Sequence, residues 1–232
     1  MQQPVDPMKV QLLDAMLDHV VFDGWSSAAF DAAVADLNLD PLHAQTMCPR
    51  GAVDLAILFH QRGDDAMAAA MGQADLADMR YSEKVAHAIW LRLEAIDDKE
   101  AVRRGTTLFA LPHMAPDGAK LIWGTADKIW QVLGDTSEDV NWYTKRATLS
   151  GVYGSVVLYW LGDTSEGHEA TRDFINRRIE NVMQFEKFKA GINSSPTLKP
   201  FTGPLARMAS VIKAPNRMPD FDFPGIWRGE QS

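Results

Sequence analysis

The sequence predicts an all-α protein. Apolar residues recur at three- and four-residue spacing along most of the 232-residue chain. No stretch shows several turns of strict alternation bounded by hairpin signals. Gly, Pro, Asp and Ser stand where helix ends need them.

In order along the chain, Val10, Leu13, Met16, Leu17, Val20 and Val21 make the first helical face, which Gly24 stops. Ser26 or Ser27 caps a second helix carrying Phe30, Ala33, Val34 and Leu37 on one side. Asp40-Pro41 reads as N-cap and first helical position of a short third helix that ends by Pro49. A fourth helix starts near Gly51 and runs toward Met71, a fifth runs from about Asp75 to Ile96, and a sixth from about Lys99 to Ala110. Further on, Ile122, Ala126, Ile129, Trp130 and Leu133 form one apolar face. Ala147, Gly151, Gly154, Ser155 and Leu158 form another that is rich in small residues. The uncharged run Ala147 to Gly162 contains three glycines and hydroxyl residues and is shorter than the ~20 apolar residues of a spanning helix, so it predicts a buried core helix.

One hexapeptide occurs twice. Leu133-Gly134-Asp135-Thr136-Ser137-Glu138 returns as Leu161-Gly162-Asp163-Thr164-Ser165-Glu166. The expectation is two similar helix junctions, with Gly left-handed at the end of one helix and Asp-Thr-Ser capping the next. After Ala190 the composition changes, and residues 191–232 hold six of the twelve prolines. Three regions follow: a helix-turn-helix-like unit at 1–50, a helical region at 51–190, and a tail at 191–232. In the tail, Phe201, Leu205, Met208 and Ile212 are the apolar residues of a short amphipathic element with Arg207 and Lys213 beside them.

Charge narrows the function. The chain carries 23 Lys+Arg against 31 Asp+Glu, a net of -8. The first three helices have the lengths of a DNA-binding helix-turn-helix, yet residues 1–49 hold seven Asp and one Lys. The third helix offers only His43, Gln45 and Thr46 as polar groups, and acid around a reading helix repels phosphate. No nucleic-acid partner is expected. One cysteine, Cys48, excludes an intrachain disulfide and points to a reducing compartment. The six histidines lie too far apart for a paired metal motif, and no nucleophile elbow, dinucleotide fingerprint, P-loop or zinc-protease pattern occurs. Catalytic residues, metal ligands and cofactors are therefore all expected to be absent. The small-residue face leaves two alternatives open: close packing, including a helix-pair dimer, or a slot for a long apolar ligand. Asn141-Trp142-Tyr143, next to Lys145-Arg146, is likewise either a buried staple or an aromatic anchor for a partner.

The run Trp123-Gly124-Thr125-Ala126-Asp127-Lys128-Ile129-Trp130, then Gly134-Asp135 and Asn141-Trp142-Tyr143-Thr144-Lys145-Arg146, resembles the ubiquinone-biosynthesis accessory proteins of the Coq system, ninth in its series. Thr148 to Tyr153 and Arg177 to Asn181 extend the resemblance, which covers about residues 8–190. It implies a TetR-like fold of about nine or ten helices, usually dimeric, with a degenerate helix-turn-helix end. It implies an apolar pocket for isoprenoid quinones or phospholipids, here lined by Trp123, Ala126, Trp130, Leu149, Val152, Tyr153 and Val156. It implies a meeting surface for the di-iron demethoxyubiquinone hydroxylase at Asp127, Trp142 and Tyr143, with Lys145 beside them, and a tail helix that holds the protein at a membrane surface. The N-terminus lacks a transit-peptide character, so the expected setting is the bacterial cytoplasm, peripherally on the inner membrane. A ligand-responsive TetR-type transcriptional regulator is the competing expectation.

Overall fold

The computed structural model describes residues 5–194, and side chains through 184. Among the described residues there are nine α-helices, one 3-10 turn and no strand. The all-α expectation holds. The chain divides into two compact units, and each is described by itself.

The first unit takes the described residues up to Asp65 together with Ile96–Leu121. It contains α1 (Pro7–Asp23), α2 (Ser27–Asp36), α3 (Pro41–Met47), the start of α4 (Ala52–Gln73), α6 (Lys99–Phe109) and the first turns of α7 (Ala115–Val132). The starts of its helices follow the cap chemistry of the sequence. The Asp6 carboxylate accepts the Met8 N–H at 2.8 Å with Pro7 in the first turn. Ser26 accepts Ala29 N–H at 3.2 Å, and Asp40 accepts Leu42 N–H at 3.1 Å ahead of Pro41. Gly24 ends α1 at a φ of 67°, a left-handed angle that favours glycine. The core is built on Leu12, Leu13, Met16, Phe30 and Leu55, with Cys48 fully buried among them. Trp25 donates its indole N–H to the Ala101 carbonyl at 3.0 Å, so this polar atom of the core is satisfied. Where α6 turns into α7, a Cβ on Gly118 would stand 2.9 Å from the Phe109 Cβ, so only glycine permits that approach.

The second unit takes Ala66–Ala95 and the described residues from Ile122 on. It contains the end of α4, α5 (Tyr81–Glu94), most of α7, α8 (Val140–Gly162) and α9 (Glu169–Ser194). Leu149, Val152, Tyr153, Val156 and Trp160 are buried along α8 at three- and four-residue spacing. α9 packs against both α5 and α8, burying Ile175 and Ile179. No described helix is long and apolar enough to cross a membrane.

Three expectations need correction. The fifth helix starts at Tyr81, not near Asp75. Asp75 instead accepts the Ala77 N–H at 3.1 Å, and Met79 N–H closes on Leu76 carbonyl. Short acidic side chains here offer the backbone a turn in place of a helix. The Ala147–Gly162 helix is not wholly core: Ala147, Gly151, Leu158 and Tyr159 are exposed, Leu158 to 62%. The repeated hexapeptide does not make two equal junctions. Gly134 is left-handed at φ 73°, whereas Gly162 is the last helical residue of α8. Asp163 does cap the start of the next segment, accepting Ser165 N–H at 2.8 Å and Thr171 N–H at 3.0 Å. Asp135 caps nothing; Asp139 caps α8 instead, accepting Asn141 N–H at 2.9 Å.

Candidate functional site

Asn141-Trp142-Tyr143 lies in the first turn of α8. One helical turn later comes Arg146, only 3% exposed, and it organises the region. Its Nε donates to the Asp127 carboxylate of α7 at 2.5 Å. Its Nη1 donates to Asp135 at 3.1 Å and to the Trp142 carbonyl at 3.2 Å. Its guanidinium lies 4.0 Å from the centre of the Trp142 ring. Trp142 in turn meets Tyr143 edge-on at 4.9 Å and Trp123 of α7 at 6.0 Å. A buried arginine thus ties two carboxylates and an aromatic layer into one assembly.

The Asp135 carboxylate is 2% exposed. It accepts Lys145 Nζ at 2.7 Å and the Ser137 hydroxyl at 2.8 Å in addition to Arg146. Burial alone would push this carboxyl up, but the hydrogen bonds from Lys145, Ser137 and Arg146 outweigh it and hold the group down to about 2. Lys145 also bonds Ser137 at 2.7 Å and sits 5.4 Å from the Trp130 ring. Trp130 stacks on Tyr81 of α5 at 5.9 Å. Burial chiefly raises the Tyr81 phenol, Lys145 opposes that, and Asp135 adds to it.

A cleft of about 730 Å³ lies along α5 and α9 on the other side of Tyr81's contacts, lined by Arg80, Tyr81, Glu83, Ile179 and Met183 among others. None of the seven residues expected to line a lipid pocket borders it. Five of those seven, Ala126, Leu149, Val152, Tyr153 and Val156, are core residues, and Trp123 and Trp130 are partly buried. Of the four expected partner residues, the structure brings Asp127, Trp142 and Tyr143 together around Arg146. Lys145 belongs to the neighbouring Asp135 and Trp130 contacts. The membrane residues Phe201, Leu205, Met208 and Ile212 lie outside the described residues. Sequence reasoning left out Arg146, Asp135 and Tyr81 as site residues. Arg146 and Asp135 stood inside the quoted motifs; Tyr81 had no local signal, being forty-nine positions before Trp130. Among the described residues no group of three or more His, Cys, Asp or Glu could hold a metal.

The Arg146 assembly falls in a segment that one family model matches. The family model described as COQ9 matches residues 115–186, which include every contact around Arg146. A probable ubiquinone biosynthesis protein coq9, mitochondrial, of Dictyostelium discoideum is 28% identical over 197 residues, covering 81% of this chain and 64% of that protein. The chain is COQ9-like. The mitochondrial ubiquinone biosynthesis protein COQ9-A of Xenopus laevis is 29% identical over 77% of the chain, and the COQ9 of Homo sapiens 26% over 77%, each across 58% of its own length. The COQ9-like chain therefore spans about three fifths of the length of these relatives. Its fold is similar to a TetR transcriptional regulator from Nitrosomonas europaea ATCC 19718, with a TM-score of 0.62 over 75% of this chain and 97% of that one. At 19% identity this likeness concerns the fold, and it meets the expectation of a TetR-like helical architecture.

Proposed function

We propose that the protein is a non-catalytic accessory factor of ubiquinone biosynthesis. In this reading it binds an isoprenoid quinone intermediate or phospholipid at the membrane surface and presents the quinone to the di-iron demethoxyubiquinone hydroxylase. The observation that carries it is the coincidence of the COQ9 match with the Arg146 assembly. That assembly is built from mutually satisfied ion pairs and aromatic rings, which suits surface presentation better than proton transfer. The need is physical. An isoprenoid tail costs about 0.8 kcal/mol for each CH₂ left in water, so a long tail is not released into solvent without a carrier. The small-residue side of α8 supports a homodimer: beyond its own helix, a Cβ added to Gly151 or Gly154 would meet nothing among the described residues within 4 Å.

The test is the lipid content of the purified protein, read by mass spectrometry after organic extraction. Co-purified quinone-type lipid is the expected result. An empty protein that also ignores liposomes would sink the proposal.

The TetR fold favours a transcriptional regulator as a second reading. Two features of α3 weigh against it. Gln45 donates its side-chain amide to Pro49 carbonyl at 2.8 Å, and Thr46 its hydroxyl to Leu42 carbonyl at 2.8 Å, so both polar groups already bond local backbone. The surrounding unit is strongly acidic. Sequence-specific DNA retention at physiological salt would restore the regulator reading.

A further inference from the structure

Five of the seven residues expected to line a lipid pocket are packed into the core, so they leave little room for a ligand among them. The cleft along α5 and α9, which lies within the second unit, supplies room instead. Its volume of about 730 Å³ falls within the roughly 300–1,000 Å³ of small-molecule sites. Two features of its lining bear on what fits. The first is Tyr81. Trp130 stacks on one face of this ring, with 5.9 Å between centres and 24° between planes, yet Tyr81 stays 50% exposed and borders the cleft. Trp130 is itself braced by Lys145, which Asp135 holds. The result is a fixed aromatic platform with one side left for a further ring. Ile179 and Met183 of α9 add apolar surface to the same cleft, Met183 being 45% exposed. The second feature is charge. Among the described lining residues Arg80 is the one cation, and Glu83 accepts its Nε at 2.8 Å and its Nη2 at 2.6 Å. Glu180 adds a second carboxylate. One cation against two carboxylates leaves a surplus of acid, which disfavours a phosphate and tolerates a neutral head.

We infer that this cleft is a quinone site: a flat, uncharged ring extends the Trp130–Tyr81 stack, the start of its apolar chain lies over Ile179 and Met183, and a phospholipid headgroup is turned away. This rests on the accessory-factor reading and deepens it, choosing between its two ligand classes and assigning residues to the chosen one. Tyr81 is the platform for the ring, and Met183 is a contact for the chain. Ser82 and Asn176, also in the lining, supply neutral hydrogen-bond donors of the kind a ring carbonyl accepts.

The test uses the full chain and a decyl-substituted dimethoxy-methyl-benzoquinone, with binding measured by equilibrium dialysis. Tyr81→Ala and Met183→Glu change half-exposed side chains and are expected to keep the circular dichroism of the wild type. Tyr81→Ala is expected to weaken binding by roughly five- to tenfold through loss of the stack, and Tyr81→Phe to retain it. Met183→Glu is expected to weaken binding at least as much, because a carboxylate replaces an apolar contact. A short-chain phosphatidylglycerol, kept below its micellar concentration, is expected not to displace the quinone. Wild-type affinity in both Tyr81→Ala and Met183→Glu would overturn the inference and leave the carrier reading standing, since the quinone would then bind elsewhere on the chain. Displacement by the phospholipid at equal concentration would overturn the choice of ligand. A wild-type chain that takes up no quinone, and carries none after purification, would fell the carrier reading and this site with it.

Discussion

Arg146 is a residue whose loss should be felt out of proportion to its size. Truncating it leaves Asp127, 15% exposed, and Asp135 facing each other without their shared counter-charge. Breaking one side of a buried pair costs about 3–5 kcal/mol, so Arg146→Ala is expected to lower the denaturant midpoint strongly, read by circular dichroism in urea. Asp135 acts through pH as well. Its folded carboxyl is held at about 2 against an ordinary value of 3.8. A depressed carboxylate contributes stability that is complete above the unfolded value and lost as pH falls through the folded one. Asp135→Asn should therefore cost about 1–3 kcal/mol at neutral pH. The gap between variant and wild type should close between about pH 4 and pH 2, as titration of the native Asp135 removes the same interaction. A gap that stays constant across that window would show that the Asp135 pairing is not the source of the stability. Asp163 belongs to the same class. Hydrogen bonds from Thr171 and Ser165 hold its carboxyl well below the usual range.

At the scale of the helix, α8 offers the clearest experiment. Gly151 sits in mid-helix, exposed, with nothing among the described residues beyond its own helix within 4 Å of an added Cβ. Gly151→Ala should stabilise an isolated chain by about 0.5–1 kcal/mol through helix propensity. On the homodimer reading, Gly151→Leu should leave folding intact and block a close helix pair, which sedimentation would reveal as a loss of dimer. A dimer that survives Gly151→Leu places the interface elsewhere. The same helix shows what the sequence made legible. Its buried positions, 149, 152, 153, 156 and 160, could be picked out by period alone, because one side of the helix faces α9. The starts of α1, α2 and α3 were equally readable, since Asp6, Ser26 and Asp40 each bond the backbone two or three residues on. The start of α5 was not, because Asp75 and Asp78 favour turn and helix start alike. The Arg146 assembly was only half legible. Asp127, Trp142 and Tyr143 stood out as residues, but the nineteen positions between Asp127 and Arg146 hide a pairing that exists only across two helices.

For the whole molecule, charge is distributed unevenly along the chain. Residues 1–100 hold 17 acids and 7 bases, whereas residues 101–232 hold 14 acids and 16 bases. The acidic surplus thus belongs to the half that carries the helix-turn-helix-like unit, where it opposes contact with phosphate. On the accessory-factor reading, attraction to anionic lipid has to come from the second half. A chain ending at residue 194 is expected to lose association with anionic liposomes, measured by co-flotation; undiminished association would relocate the membrane contact to the helical body.

Cys48 gives this chain a practical property. It is the sole thiol, wholly enclosed in the core, and burial pushes its acidity down despite the opposing pull of Lys9. Thiol reagents act on the thiolate, so the folded wild type behaves as a nearly blank background for covalent labels. A cysteine installed at exposed Val132 or Leu158 would carry a dye or spin label alone. The α7 end or the α8 surface can then be followed spectroscopically without first rebuilding the core to remove a native sulfur.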